Sequence, residues 1–120
     1  VIILSGCSAL FSQQEYISVD DGLKEERIWS GVLFTIPEKR VINKIVLVGE
    51  GHIRNIEIYA RIEEHKWKKL KEVKTLVKFP YEVNTYSLEA DAIRILQKTM
   101  VGKGRIQSIK LYQIVLQQKS

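Results

Sequence analysis

The sequence predicts an all-β chain folded as an antiparallel β-sandwich. Three observations carry this: apolar residues recur mostly with a period of two, turn signals punctuate the chain at short intervals, and no strand–helix–strand alternation is visible. A length of 120 residues fits one domain with one modest core, and 45% apolar content with two prolines and seven glycines is that of a globular chain.

The first element is not a sandwich strand. Val1, Ile2, Ile3 and Leu4 are large and apolar, Ser5 and Gly6 are small, and Cys7 is the only cysteine. One cysteine cannot form an internal disulfide, and a zinc site of three or four ligands is out of reach with only His52 and His65 beside it. Neither histidine is paired with Cys7 by any sequence feature, so a catalytic thiolate has no base. Leu4, Ser5, Gly6 and Cys7 resemble the lipobox of bacterial lipoprotein precursors. That resemblance implies cleavage before Cys7 and acylation of the cysteine, with enough acyl chains for durable anchoring. On this reading residues 1–6 are the remnant of a signal peptide, 7–15 are the lipidated cysteine and a short tether, and 16–120 are the domain. The alternative is an ordinary buried N-terminal strand with a structural cysteine. Ser8 rather than Asp after the cysteine implies the outer membrane if the host is Gram-negative.

Strands follow in order. Residues 31–36 form the first, and the β-branched run 44–48, bounded by Asn43 and by Gly49, Glu50 and Gly51, forms a more fully buried one. In 55–62, Ile56, Ile58, Ala60 and Ile62 alternate with Asn55, Glu57, Tyr59 and Arg61, the pattern of a half-buried strand. Trp67, Leu70, Val73 and Leu76 recur every third residue among lysines and glutamates. This suits an amphipathic helix, or a strand with a bulge or break. Residues 85–88, 92–96 and 106–116 complete the set, the last with a bulge where apolar parity switches between Leu111 and Tyr112. Turns are expected at 20–22, 37–38, 79–80 and 102–104.

Four pieces of the run 20–112 resemble the discoidin, or coagulation factor 5/8 type C, family. They are Asp21 and Gly22 followed by Trp29 and Ser30; Lys44, Ile45, Val46 and Leu47 followed by Ile56, Glu57, Ile58 and Tyr59, with Trp67 just after; Ala92, Ile93, Arg94 and Ile95; and Gly104, Arg105 and Ile106 through Leu111 and Tyr112. The resemblance implies a galactose-binding-like jelly roll of about eight strands, with a strand at Trp67. It also implies a module that binds glycans, phospholipid head groups or proteins through loops at one end. A structural calcium near the early turn is a further implication, for which Asp20 and Asp21, with Glu25 or Glu26, offer hard oxygens. Asp-Asp-Gly is equally a common turn.

A sugar site needs an exposed aromatic ring and planar polar groups that take hydroxyls in pairs. Glu50, His52, Arg54 and Asn55, with the rings of Phe79 and Tyr81, supply such a kit. The alternative is that His52 and Arg54 are solvated and Tyr81 packs beside Pro80. Trp29 and Trp67 sit among alternating strand residues and read as core or rim packing.

The net charge of +5 is modest, and the lysines from Lys66 to Lys71 are flanked by Glu63, Glu64 and Glu72, as in a solvated hairpin. No nucleic-acid motif is present. No nucleophile elbow, metal-spaced histidine pair or phosphate-cradling glycine loop is present either, so no enzyme is expected. Two readings of function stand. One is a lipid-anchored, non-enzymatic binding module of the bacterial cell envelope that holds a glycan or other envelope ligand. The other is an accessory lipoprotein that docks onto a partner protein and binds no small ligand.

Overall fold

The structure, a computed structural model, describes residues 13–98 and 104–117. Cys7 and its neighbours lie outside the described residues. Seven strands follow one another: β1 (Gln13–Ser18), β2 (Lys24–Ile28), β3 (Gly31–Glu50), β4 (Ile53–Glu63), β5 (Lys66–Val77), β6 (Tyr81–Gln97) and β7 (Arg105–Gln117). All pairings are antiparallel, in the order β1-β7-β3-β6-β4-β5, with β2 beside β3. β1 starts at Gln13, so the sheet reaches three residues into the stretch read as tether.

The sandwich is made by two long strands that serve both layers. The first part of β3, 31–35, pairs with β2 and with the end of β6, 92–96; its second part pairs with β7 and with the start of β6, 81–84. Between the parts the β3–β6 register shifts twice, at Thr35/Arg40 and at Ile42/Lys44, and Tyr86 and Ser87 take positive φ. Bulges of this kind bend a strand and sharpen its twist. Asn43 fastens the bend: its Nδ2 donates to Ser87 Oγ at 2.6 Å, and its Oδ1 accepts from the Ile114 amide at 2.8 Å. The buried Thr85 hydroxyl donates to the Ile42 carbonyl. One core results, with Val32, Phe34, Ile56, Ile58, Ile93 and Ile95 from one layer against Ile45, Leu47, Val83, Ile109 and Leu111 from the other.

Several expectations are corrected here. The separately expected strands 31–36 and 44–48 are parts of one strand, β3, and 85–88 and 92–96 are parts of β6, while β1 and β2 were not expected; the described strands number seven, in keeping with a jelly roll of about eight. Pro37 and Glu38 form no turn; they sit in the bulge where β3 crosses between layers, a place that tolerates a residue without an N–H. Of the two readings of the segment from Trp67, the bulged strand that the family resemblance implied is the one present. Its spacing of three arises from register shifts between Arg54 and Ile56 and between Ile58 and Tyr59, the second leaving Leu70 without an opposite residue. The bulge expected at Leu111/Tyr112 lies instead opposite Val48 and Gly49, with Gln107 as the extra residue. At Tyr112, β7 stops pairing with β3 and pairs with β1, so the apolar parity changes because the neighbours do.

Candidate functional site

At one end of the sandwich the β2–β3 turn, the β3–β4 turn, the end of β6 and the start of β7 converge. The Ser30 carbonyl in the β2–β3 turn accepts from the Gln97 amide, and the Asn55 carbonyl accepts from the Lys98 amide, each at 2.8 Å. Gly31 passes the Ile95 carbonyl so closely that a Cβ there would stand 2.1 Å from its oxygen. Gly104 lies as tightly against the His52 backbone, where a Cβ would meet the carbonyl oxygen at 2.3 Å. Only glycine permits such backbone approaches.

Between the β2–β3 hairpin and the start of β7 this convergence leaves a cleft of about 310 Å³. Ile28, Ile95 and Ile106 contribute its apolar wall, and Arg27, Gln97 and Arg105 its polar one. Arg27 is steadied by donating from Nη2 to the Ile106 carbonyl at 2.9 Å and by Glu25 at 3.1 Å. Arg105 pairs with Glu50 at 3.4 Å. Trp29, next to the lining residue Ile28, occupies the tip of the hairpin and is 92% exposed. The hairpin turns through Ser30, whose φ of 63° lies in the left-handed region.

The residues anticipated for a sugar site divide into two groups. Glu50 and His52 are exposed and Asn55 is half-buried at a φ of 63°, all at this end, while Arg54 is exposed on β4 opposite Leu76. Phe79 and Tyr81 are half-buried and pack against the core, the Phe79 ring lying against Gly49. Arg27, Trp29, Gln97 and Arg105 were not anticipated as site residues. The reading of Trp29 as packing is corrected by its exposure: it sits one residue before the reversal at Ser30, beyond the last β2–β3 pair at Ile28 and Gly31. Ser-Gly after an aromatic residue in a strand-like run was the available signal. Trp67 is half-buried on an outer sheet face.

Of the carboxylates named for calcium, Asp20 and Glu25 already have partners. Both Asp20 oxygens are engaged, Oδ1 by the Ser18 hydroxyl at 2.8 Å and Oδ2 by the Leu111 amide at 3.1 Å, while Glu25 is held by Arg27. Asp21 is exposed beside them. Among the described residues, no group of three or more His, Cys, Asp or Glu side chains is placed to hold a metal ion. No described helix is long and apolar enough to cross a membrane.

A separate polar cluster lies on the outer face of β4, β5 and β6. Glu57 is only 6% exposed, yet it accepts from the Tyr59 hydroxyl at 2.9 Å and faces Lys69 at 3.2 Å and Lys98 at 3.5 Å. The Tyr59 hydrogen bond, assisted by Lys69 and opposed by burial, holds its carboxyl below the ordinary carboxylate range. Lys69 also binds Glu72 at 2.6 Å; this lowers Glu72, and the two carboxylates raise Lys69.

Comparison with known proteins shows the fold. No protein-family model matches the sequence, and no curated protein matches it. Solved structures do. CBM32-1 from a family 31 glycoside hydrolase from Clostridium perfringens superposes with a TM-score of 0.61 at 13% identity, over 79% of this chain and 96% of that one. The chain has a CBM32-like sandwich fold. CpGH89CBM32-6 produced by Clostridium perfringens gives 0.57 at 16% identity, over 82% and 92%. A putative alpha-L-fucosidase from Bacteroides thetaiotaomicron gives 0.61 at 16% identity; the match covers 82% of this chain but 21% of that much longer one.

Proposed function

We propose that this domain is a non-catalytic glycan-binding module that takes a saccharide at the cleft end of the sandwich. The observation that carries the proposal is the fully presented indole of Trp29, flanked in the chain by Ile28 and Ser30, both of which line the cleft. Keeping so large an apolar ring in water brings the fold no burial, whereas a pyranose offers an apolar face that an indole can cover. Arg27, Gln97 and Arg105 then face the sugar's hydroxyls, with Glu50, His52 and Asn55 at the rim. Phe79 and Tyr81 support the loops from within. The CBM32-like fold supports the same reading.

The anchoring half of the proposal rests on the sequence around Cys7, which suits acylation and tethering to a bacterial envelope. Docking onto an envelope protein without a small ligand is less well supported. Among the described residues, the exposed large apolar ones besides Trp29, namely Tyr16, Ile17, Leu76 and Tyr86, are spread over β1, β5 and β6.

A glycan array followed by calorimetry of the hits tests the proposal. Trp29→Ala should abolish binding of every hit while its thermal unfolding stays like that of the parent. Binding that survives Trp29→Ala, or an array without hits, would refute it.

A further inference from the structure

The outer face of β4, β5 and β6 carries a cation that no neighbour answers. By register, Tyr59 stands opposite Arg94 on β6 and Lys69 on β5, and Arg61 stands opposite Ala92 and Trp67, so these side chains share one face. Arg61 donates from Nε to Asp91 at 2.8 Å. Lys69 is held by Glu57 and Glu72, and Lys98 by Glu57. Arg94 alone of these four has neither a hydrogen bond nor an ion pair among the described residues. Its Nε is buried without a partner. Its Cζ lies 4.4 Å from the Trp67 ring centroid and 4.9 Å from that of Tyr59. On β3 the opposite residue is Leu33, which offers no side-chain acceptor.

Stacking occupies the faces of a guanidinium and leaves its N–H groups pointing out in the plane, and those groups select oxyanions in pairs. A partly buried charge without a partner also costs stability, which an incoming anion recovers. β5 at the sheet edge carries five lysines against one glutamate, and Glu57, Glu72 and Asp91 are engaged by Lys69, Lys98 and Arg61 rather than by Arg94. We propose that Arg94, framed by Trp67 and Tyr59, is the centre of an oxyanion subsite apart from the cleft, taking the carboxylate or sulfate group of an acidic glycan. A chain of such sugars would continue along β5. The choice of a sugar as carrier rests on the glycan-binding reading; the oxyanion chemistry rests on Arg94 alone.

The test uses the full chain with Trp29→Phe, so that fluorescence reports Trp67. It compares oligogalacturonate and sulfated galactan fragments with neutral galactan fragments. At least one acidic series should quench Trp67 and bind at least about tenfold more tightly than the neutral one, the value of one charge-assisted contact; which series responds names the oxyanion. Arg94→Gln should remove the preference. Arg94→Lys, which keeps the charge but not the fork, should remove most of it, and it serves as the decisive variant if Arg94→Gln fails to fold. A preference unchanged in the decisive variant overturns the subsite, as does no preference in either acidic series. Equal Arg94-dependent binding of poly-glutamate overturns the sugar as carrier. Loss of neutral-sugar binding in Trp29→Ala bears on the cleft alone. An Arg94-dependent preference without any effect of Trp29→Ala would sink the cleft reading and leave this one standing.

Discussion

Asp20 and Leu111, 91 positions apart, are joined by one hydrogen bond, the Asp20 carboxylate accepting from the Leu111 amide at 3.1 Å, and the neighbouring Val19 amide donates to the Leu111 carbonyl at 2.9 Å. The turn after β1 is thereby fixed to the strand that closes the fold. Asp20→Ala leaves the Leu111 amide without this acceptor and should cost about 1–3 kcal/mol in urea unfolding. A loss within error would mean that water replaces the carboxylate at no cost.

Two aromatic truncations should behave oppositely. Trp29 is 92% exposed and should tolerate alanine within about 0.5 kcal/mol, the usual range for surface positions. Phe34 is 1% exposed in the core, and Phe34→Ala should cost about 3–5 kcal/mol. Chemical denaturation of the two variants side by side checks the contrast.

Gly31→Ala should cost more than a change of propensity. Its Cβ would fall 2.1 Å from the Ile95 carbonyl oxygen, so two paired strands must separate. A loss of about 1–3 kcal/mol is expected, with weakened sugar binding because Gly31 lines the cleft. An unchanged melting temperature would contradict the close approach.

Stability should fall at both ends of the pH scale through one cluster. Glu57 and Glu72 have folded-state values below those of the unfolded chain, so their contribution is present above about pH 4.3 and is lost as pH falls through the folded values. Lys69 is raised, so its contribution is complete below about pH 10.4 and is lost as pH rises through its folded value. Glu57→Gln should flatten the acid limb of a melting-temperature profile. An acid limb identical to the parent's would assign the loss to other carboxylates.

Anchoring can be read directly. In a bacterial host, Cys7→Ser should yield protein without acyl mass and outside the detergent-soluble membrane fraction. Unchanged mass and partition would remove the lipid from the proposal.

The regular strands were the legible part of the fold. β4 announces itself through Ile56, Ile58 and Ala60, because apolar residues alternate with polar ones in its sequence, although Glu57 between them is buried as well. Bulged strands were harder to read: β5 mimics a helical period once register shifts displace Leu70, and β3 passes through Pro37 without ending. The site was less visible still. Glu50, His52 and Asn55 were named because they lie close together in a polar stretch of the sequence, and the structure places them at the cleft end. Gln97 and Arg105 reach the cleft only through pairings with β2, β3 and β4 that no local pattern encodes. Trp29 was misread because an aromatic residue among alternating neighbours resembles a core residue until the hairpin tip is located.

The sharing of β3 and β6 by both layers has a consequence for how the chain comes apart. A layer cannot melt while its partner persists, because the same two backbones run through each. Loss of order should therefore be all-or-none, without a half-sandwich that exposes Phe34 or Ile58 to neighbouring molecules. Assembly carries the matching burden. β1 pairs with β7, the last of the described strands, so the sheet closes over long sequence separations, which makes for slow folding.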